Sequence, residues 1–259
     1  MTQWDGPPRW WLVPALLICA VGVALLVAGY RYGIPLAAQI AADQVPDTWV
    51  DTLGQGMLSS LDAGTLQPTQ LPRERRDALL DRFTRLRHPS ARHTARYQVL
   101  FRRSDQIGPN AMALPSGVIV VTDALVNLAH GDAGGADDAV IAVLAHEAGH
   151  IERRHGIRLV FQNSLVGMVL AWLVGDPSSL MAAAPAVLLQ AKYSRDLERE
   201  ADAYAVAVLD ANGIERRHFA RMLMLLERAQ LEGASSGAGA VTSYLSTHPV
   251  TAERLDALR

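Results

Sequence analysis

The sequence predicts a mainly helical α+β chain with a small β-sheet and an N-terminal transmembrane helix, and three observations lead there. No charged residue lies between Arg9 and Arg31. Apolar residues recur at helical spacing through most of the remaining chain, while only short runs such as 97–101 and 117–121 read as strands. The run His146-Glu147-Ala148-Gly149-His150 places two imidazoles four residues apart within an apolar stretch, so they share one helix face.

Composition alone would allow a soluble protein, since charged residues make up 19% and the formal net charge is -2. The first 32 residues argue otherwise. The uncharged run is about long enough for a ~30 Å hydrocarbon core, and Trp10, Trp11, Tyr30 and Tyr32 stand where interfacial aromatics belong. A cleaved signal peptide competes with this reading, helped by Ala37 and Ala38, but the run exceeds the usual h-region of about 7–15 residues. Arg9 and the terminal amine slightly outweigh Arg31, which favours a cytoplasmic N-terminus and an exported remainder. Cys19, the single cysteine, lies inside the apolar run, so no intrachain disulfide is possible. The residue before it is not small, which argues against lipid modification.

Residues 33–72 form a connector with Pro35, Pro46 and Pro68 and short helices near 35–43 and 50–61. A third unit, 73–259, begins with a helix whose face is Leu79, Leu80, Phe83 and Leu86; its arginines read as solvated surface rather than a nucleic-acid patch. The strands at 97–101 and 117–121 follow, then a helix at 122–129. After a Gly/Asp-rich loop at 131–135, Asp137 and Asp138 would cap a helix buried through Val140, Ile141, Val143, Leu144, Ala148 and Ile151.

From 159 to 190 only Asp176 is charged, and Gly175-Asp176-Pro177 splits this oily region into halves too short to span a bilayer confidently. It reads either as a buried hairpin over the core or as one that dips into the membrane. A helix over 194–213 follows, then one bearing Phe219, Met222, Leu223 and Leu226, a mobile loop at 233–239, and a short helix capped by Thr251.

Two imidazoles and a carboxylate in so apolar a helix are costly unless a metal or hydrogen bonds satisfy them. His146 and His150 can reach one zinc ion, with Glu147 about 100 degrees round the helix, able to meet water beside it. A third ligand is still required. Glu198 and Asp202 share a stripe with Ala201 and Ala205, so one carboxylate can bind while the other orients a ligand. Arg195, Asp196, Arg199 and Glu200 read as a charged exposed face. His88, His93, His130, His155 and His218 are taken as non-catalytic, His155 because five residues on a helix carry it away from the pair.

His146 to His150, then Glu198-Arg199-Glu200-Ala201-Asp202, then Thr247-His248-Pro249 with Arg254, together resemble the zinc metallopeptidases of family M48, the CAAX-prenyl-protease type. That family includes bacterial membrane quality-control and periplasmic proteases. The resemblance covers roughly residues 70–259 and implies a zincin-like domain. It implies one Zn2+ on His146, His150 and Glu198, Glu147 as general base, Asp202 behind the ligands, and His248 and Arg254 lining the cleft. Asn110, Ala111, Met112 and Ala113, followed by Leu114, Pro115 and Gly117, are similar to the strand before the metal helix; by that likeness they form an edge that pairs with extended substrate, the alternative being an internal strand.

His248 could stabilise an oxyanion, occupy the open zinc position at rest, or simply pack. Arg254 could pair with Asp202 or Glu198, or lie on the surface. The partners implied are polypeptides and, through the N-terminal helix, a lipid bilayer, with no nucleic acid. The implied location is a bacterial cell membrane, with a single-pass anchor and an extracytoplasmic catalytic domain. A non-peptidase zinc hydrolase and a chaperone or adaptor with a latent site stay open as alternatives.

Overall fold

The computed structural model describes residues 12–89, 97–130, 135–174, 194–235 and 244–258. Arg9, Trp10, Trp11, His93, positions 131–134 of the Gly/Asp-rich loop, the Gly175-Asp176-Pro177 break with residues 178–190 of the oily region, and positions 236–239 of the expected loop lie outside them.

Uniform apolarity makes α1 (Leu12–Ala28), with Pro14 tolerated in the first turn. One π-helical turn, Gly29–Gly33, joins it to α2 (Ile34–Gln44). Together they give a continuous helix, Val13–Gln44, of 32 residues, long and apolar enough to cross a membrane and consistent with an anchor. At 1.5 Å per residue that is ~48 Å, so α2 extends beyond a ~30 Å hydrocarbon core. Ala38 and Ala42, small and fully buried, face the rest of the chain, with Ala42 packed beside Val50 and Ile157. Val45-Pro46 breaks the helix, and α3 (Asp47–Gly64) buries Val50, Gly54, Met57 and Leu61 along one stripe. Both helices run longer than the short connector helices expected.

β1 (Gln67–Pro68), α4 (Arg73–Thr84), β2 (Gln98–Arg103), β3 (Ala111–Ala113) and β4 (Val118–Thr122) follow. The sheet order is β1-β2-β4-β3, with β2 parallel to β4 and the outer pairs antiparallel. Every residue of β4 is buried because both of its faces are covered. Val118 and Val120 point into a small core with Met57, Leu61 and Leu114; Ile119 and Val121 point into the main one. β3 is the edge strand on the side of the metal helix.

α5 (Asp123–His130) leads to α6 (Ala136–Glu152), which is buried continuously from Ala139. Gly135, at φ 85°, is the N-cap of α6, in place of the expected Asp137 and Asp138. A left-handed turn needs glycine there, which moves both aspartates into the first helical turn. They pair instead with Arg75 and Arg82 of α4. α7 (His155–Val174) packs along α2, and α8 (Arg195–Ala211) lies against α6. α9 (Arg217–Ser235), α10 (Tyr244–Thr247) and α11 (Ala252–Ala257) complete the chain.

Gly149 lets α6 and α8 approach: a Cβ there would lie 3.0 Å from both the Cα and the carbonyl oxygen of Ala201. This close crossing carries Glu198 and Asp202 up to the histidines.

Candidate metal centre

His146, Glu147 and His150 are all buried on α6, so their polar atoms must find partners within the protein. The i, i+4 spacing brings the two rings together, with Nε2 atoms 3.0 Å apart. Glu198 arrives from α8, placing Oε1 3.4 Å from His150 Nε2 and Oε2 3.6 Å from His146 Nε2. Two ring nitrogens and the two oxygens of one carboxylate thus stand at separations near the edges of about 3.3 Å that bonds of about 2.0–2.1 Å to a tetrahedral zinc ion give. The Asp202 carboxylate 2.8 Å from His146 Nδ1 calls for the His146 proton on that nitrogen, which leaves the Nε2 lone pair aimed at the centre. The donor set of two imidazoles and a carboxylate therefore fits a divalent metal of zinc's type.

His248 completes a buried group whose ligand atoms lie within 4.8 Å of one another. Its Nδ1 is 2.9 Å from Glu198 Oε1 and 3.4 Å from His146 Nε2, and its ring stacks on Tyr244 at 4.4 Å. Burial works against charge on His248, but the Glu198 and Glu147 carboxylates outweigh it and raise its pKa. Burial likewise opposes charge on Glu198, yet His248, His150 and His146 hold its carboxyl well below the usual range. His150 moves the other way, since burial keeps its ring neutral, the form a metal requires.

Glu147 points away from the three donor atoms. Its Oε2 accepts from the Ala113 N–H at 2.9 Å, its Oε1 lies 3.6 Å from His248 Nε2, and burial raises its pKa. Leu114 N donates to Val118 O, and Thr122 N to Asn110 O. By the alternation of a strand, the peptide N–H of Ala113 then faces away from β4, toward α6. Asn110 is buried just before the strand, with Ala111, Met112 and Ala113 forming the edge itself.

Asp202 Oδ1 is 2.8 Å from His146 Nδ1, behind the ring rather than beside the donor atoms. Arg254, 4% exposed, donates from Nε and Nη2 to both Asp202 oxygens at 2.7 and 2.8 Å, and its Nη1 is 2.8 Å from Glu198 Oε2. It pairs with both carboxylates at once. Thr251 caps its helix, accepting from Arg254 N at 3.3 Å.

Two residues escape a reading by spacing. Tyr244 is fully buried against His248 and His146, and its side chain reaches the Glu147 carboxyl. Its position three residues before Thr247 carries no signal by itself. His155, set aside on helical spacing, has its Nδ1 2.8 Å from His150 Nδ1. Arg154 is the cause: at φ 50° it ends one helix and starts the next, swinging His155 back. Glu200, expected on a charged exposed face, reaches His155 and Arg158 and is only partly exposed.

No curated protein matches the sequence significantly. The model of peptidase family M48 does match, over residues 73–259, the stretch that carries every donor atom described above, and the chain belongs to that family.

Proposed function

We propose that this protein is a membrane-anchored zinc endopeptidase that hydrolyses unfolded or misfolded polypeptides, in the manner of the quality-control branch of its family. The observation that carries the reading is the convergence of His146 Nε2, His150 Nε2 and the Glu198 carboxylate, whose two oxygens lie 3.4 and 3.6 Å from the two rings, with the Glu147 carboxylate held between the Ala113 N–H and His248. His146, His150 and Glu198 hold the metal. Zinc bound there supplies a Lewis acid for the scissile carbonyl and lowers the pKa of water.

Glu147 takes a proton from the attacking water and returns it to the leaving amine; its raised pKa suits a group that must hold the proton between the two steps. Arg254 keeps Asp202 and Glu198 ionised and fixed, and Asp202 orients the His146 ring. The edge strand β3, whose outward Ala113 N–H is held by Glu147 Oε2 in this state, pairs with an extended substrate backbone and selects for unfolded segments rather than for side chains.

His248 favours a second, compatible reading. With Nδ1 this close to Glu198 and His146 it serves as a fourth ligand that closes the resting site, and substrate binding displaces it. A His248→Ala variant with higher basal activity than the parent supports closure; lower activity favours a role for His248 in stabilising the oxyanion.

The protein sits in a bacterial cell membrane with its catalytic domain outside the cytoplasm. A reporter fused after Arg259 then registers as extracytoplasmic, and cytoplasmic signal refutes this orientation. The central test is Glu147→Gln in the full-length chain. Zinc content stays at one per chain while cleavage of an unfolded test protein falls by about 10²- to 10⁴-fold. Parent-like cleavage by a zinc-loaded variant would remove Glu147 from the mechanism.

A further inference from the structure

Behind His150, on the side away from the donor atoms, three more polar side chains stand in a row. His155 Nδ1 lies 2.8 Å from His150 Nδ1, and His155 Nε2 lies 3.3 Å from Glu200 Oε2. Arg158 donates to both Glu200 oxygens, at 2.8 and 3.3 Å. His155 is 0% exposed and Arg158 is buried, so the row runs inward from the partly exposed Glu200 to the metal centre.

Ligation dictates where the protons lie. Only one proton fits between two facing Nδ1 atoms. When His150 gives its Nε2 lone pair to a metal, its own proton stays on Nδ1, so His155 must accept there. The remaining proton of His155 is then on Nε2, facing a Glu200 oxygen that can only accept. Each hydrogen bond in the row thus acquires a single direction, ending on a carboxylate held by a guanidinium.

The two ligand histidines differ in how they are supported. His146 meets the Asp202 carboxylate directly at 2.8 Å, whereas His150 reaches a carboxylate only through an interposed imidazole. The left-handed Arg154 creates this arrangement. Arg154 is itself held from outside the family-matched region, donating to Ala42 O and Val45 O at 2.8 Å each and to Asp47 Oδ1 at 2.6 Å.

Resting on the zinc reading of the cluster, we propose that His155, backed by Glu200 and Arg158, is a positioning residue that fixes the tautomer and orientation of His150 and so sets the affinity for zinc. His155 touches neither metal nor substrate. Partners in this place typically contribute about 10–100-fold to metal affinity.

The test measures the zinc Kd of full-length protein in detergent, by competition with a chromophoric chelator at fixed pH. His155→Leu should weaken binding about 10–100-fold and shift the visible d–d band of the cobalt(II)-loaded protein. His155→Asn, which retains a side-chain acceptor, should recover part of the affinity. Glu200→Gln, at a partly exposed position that tolerates change, should weaken binding by a smaller factor and guards against a His155 variant that fails to fold. An unchanged Kd in His155→Leu, equal losses in the Leu and Asn variants, or an unchanged Kd in Glu200→Gln would each overturn the relay while zinc binding by the parent stands. A parent that binds no zinc would bring down the metal reading beneath it.

Discussion

α1 and α6 are both 17-residue helices of strongly apolar sequence, yet one presents its side chains outward and the other is enclosed on every side. Along α1, Leu16, Leu25 and Leu26 are largely exposed, whereas Val140, Val143 and Leu144 of α6 are not exposed at all. Apolarity alone does not separate the two. The difference is that α6 carries buried ionisable side chains, His146, Glu147, His150 and Glu152, which must find partners in the protein, and a close crossing with another helix at Gly149. α1 contains neither, and its exposed apolar surface calls for a solvent other than water.

The strongest way to break this comparison is to put the same charge in both helices. Leu144→Arg should leave no cooperatively folded domain, because an unpaired cation would be buried. Leu25→Arg should keep the domain's melting transition in detergent and instead disfavour membrane insertion by about 2.5–3.5 kcal/mol, read as a shift toward the soluble fraction. A folded Leu144→Arg protein would mean that α6 is less enclosed than it is described here.

A smaller effect tests the partners of the polar face. Arg254→Leu strands the buried carboxylates of Asp202 and Glu198, and should destabilise the metal-free protein by about 3–5 kcal/mol in denaturant titration. A loss under 1 kcal/mol would reduce Arg254 to a surface contact.

Gly149→Val asks whether the crossing with Ala201 is as tight as its 3.0 Å clearance implies. Overpacking should cost about 1–3 kcal/mol, and zinc content should fall as α8 is pushed from α6. Retained zinc and an unchanged melting temperature would argue for slack at the crossing. The mildest probe is a matched pair of hydroxyls. Val143→Thr buries an oxygen and should cost about 1–3 kcal/mol, while Val21→Thr, exposed on α1, should leave the melting temperature of the domain unchanged. Equal effects would erase the distinction between the helices.

Much of the centre was legible because its spacing is local. His146 and His150 lie on one face by helical period alone, and Glu198 and Asp202 repeat that geometry on a second helix among small alanines. Thr251 as a cap was legible for the same reason, whereas the short strand around Ala111 was legible only through the family resemblance. The reading failed where one residue departs from regular backbone. Gly135 took the cap expected of Asp137 and Asp138, and Arg154 returned His155 to a ligand that uninterrupted helix would have carried it away from.

The sequence by itself determined the apolar N-terminal helix, the mainly helical α+β class and the local pairs, His146 with His150 and Glu198 with Asp202, that supply donors able to hold a metal, since each depends on composition or on neighbours within two helical turns. Tertiary structure alone decided that Arg254 clamps Asp202 and Glu198 together, that Tyr244 stacks on His248, and that Glu200 reaches His150 through His155. The Arg254 clamp joins residues more than 50 positions apart, the His155 contact turns on one left-handed residue, and the local Tyr244–His248 stack is fixed by where its helix docks. Their energy comes from burial and from satisfying polar groups in a core that exists only once the helices have packed.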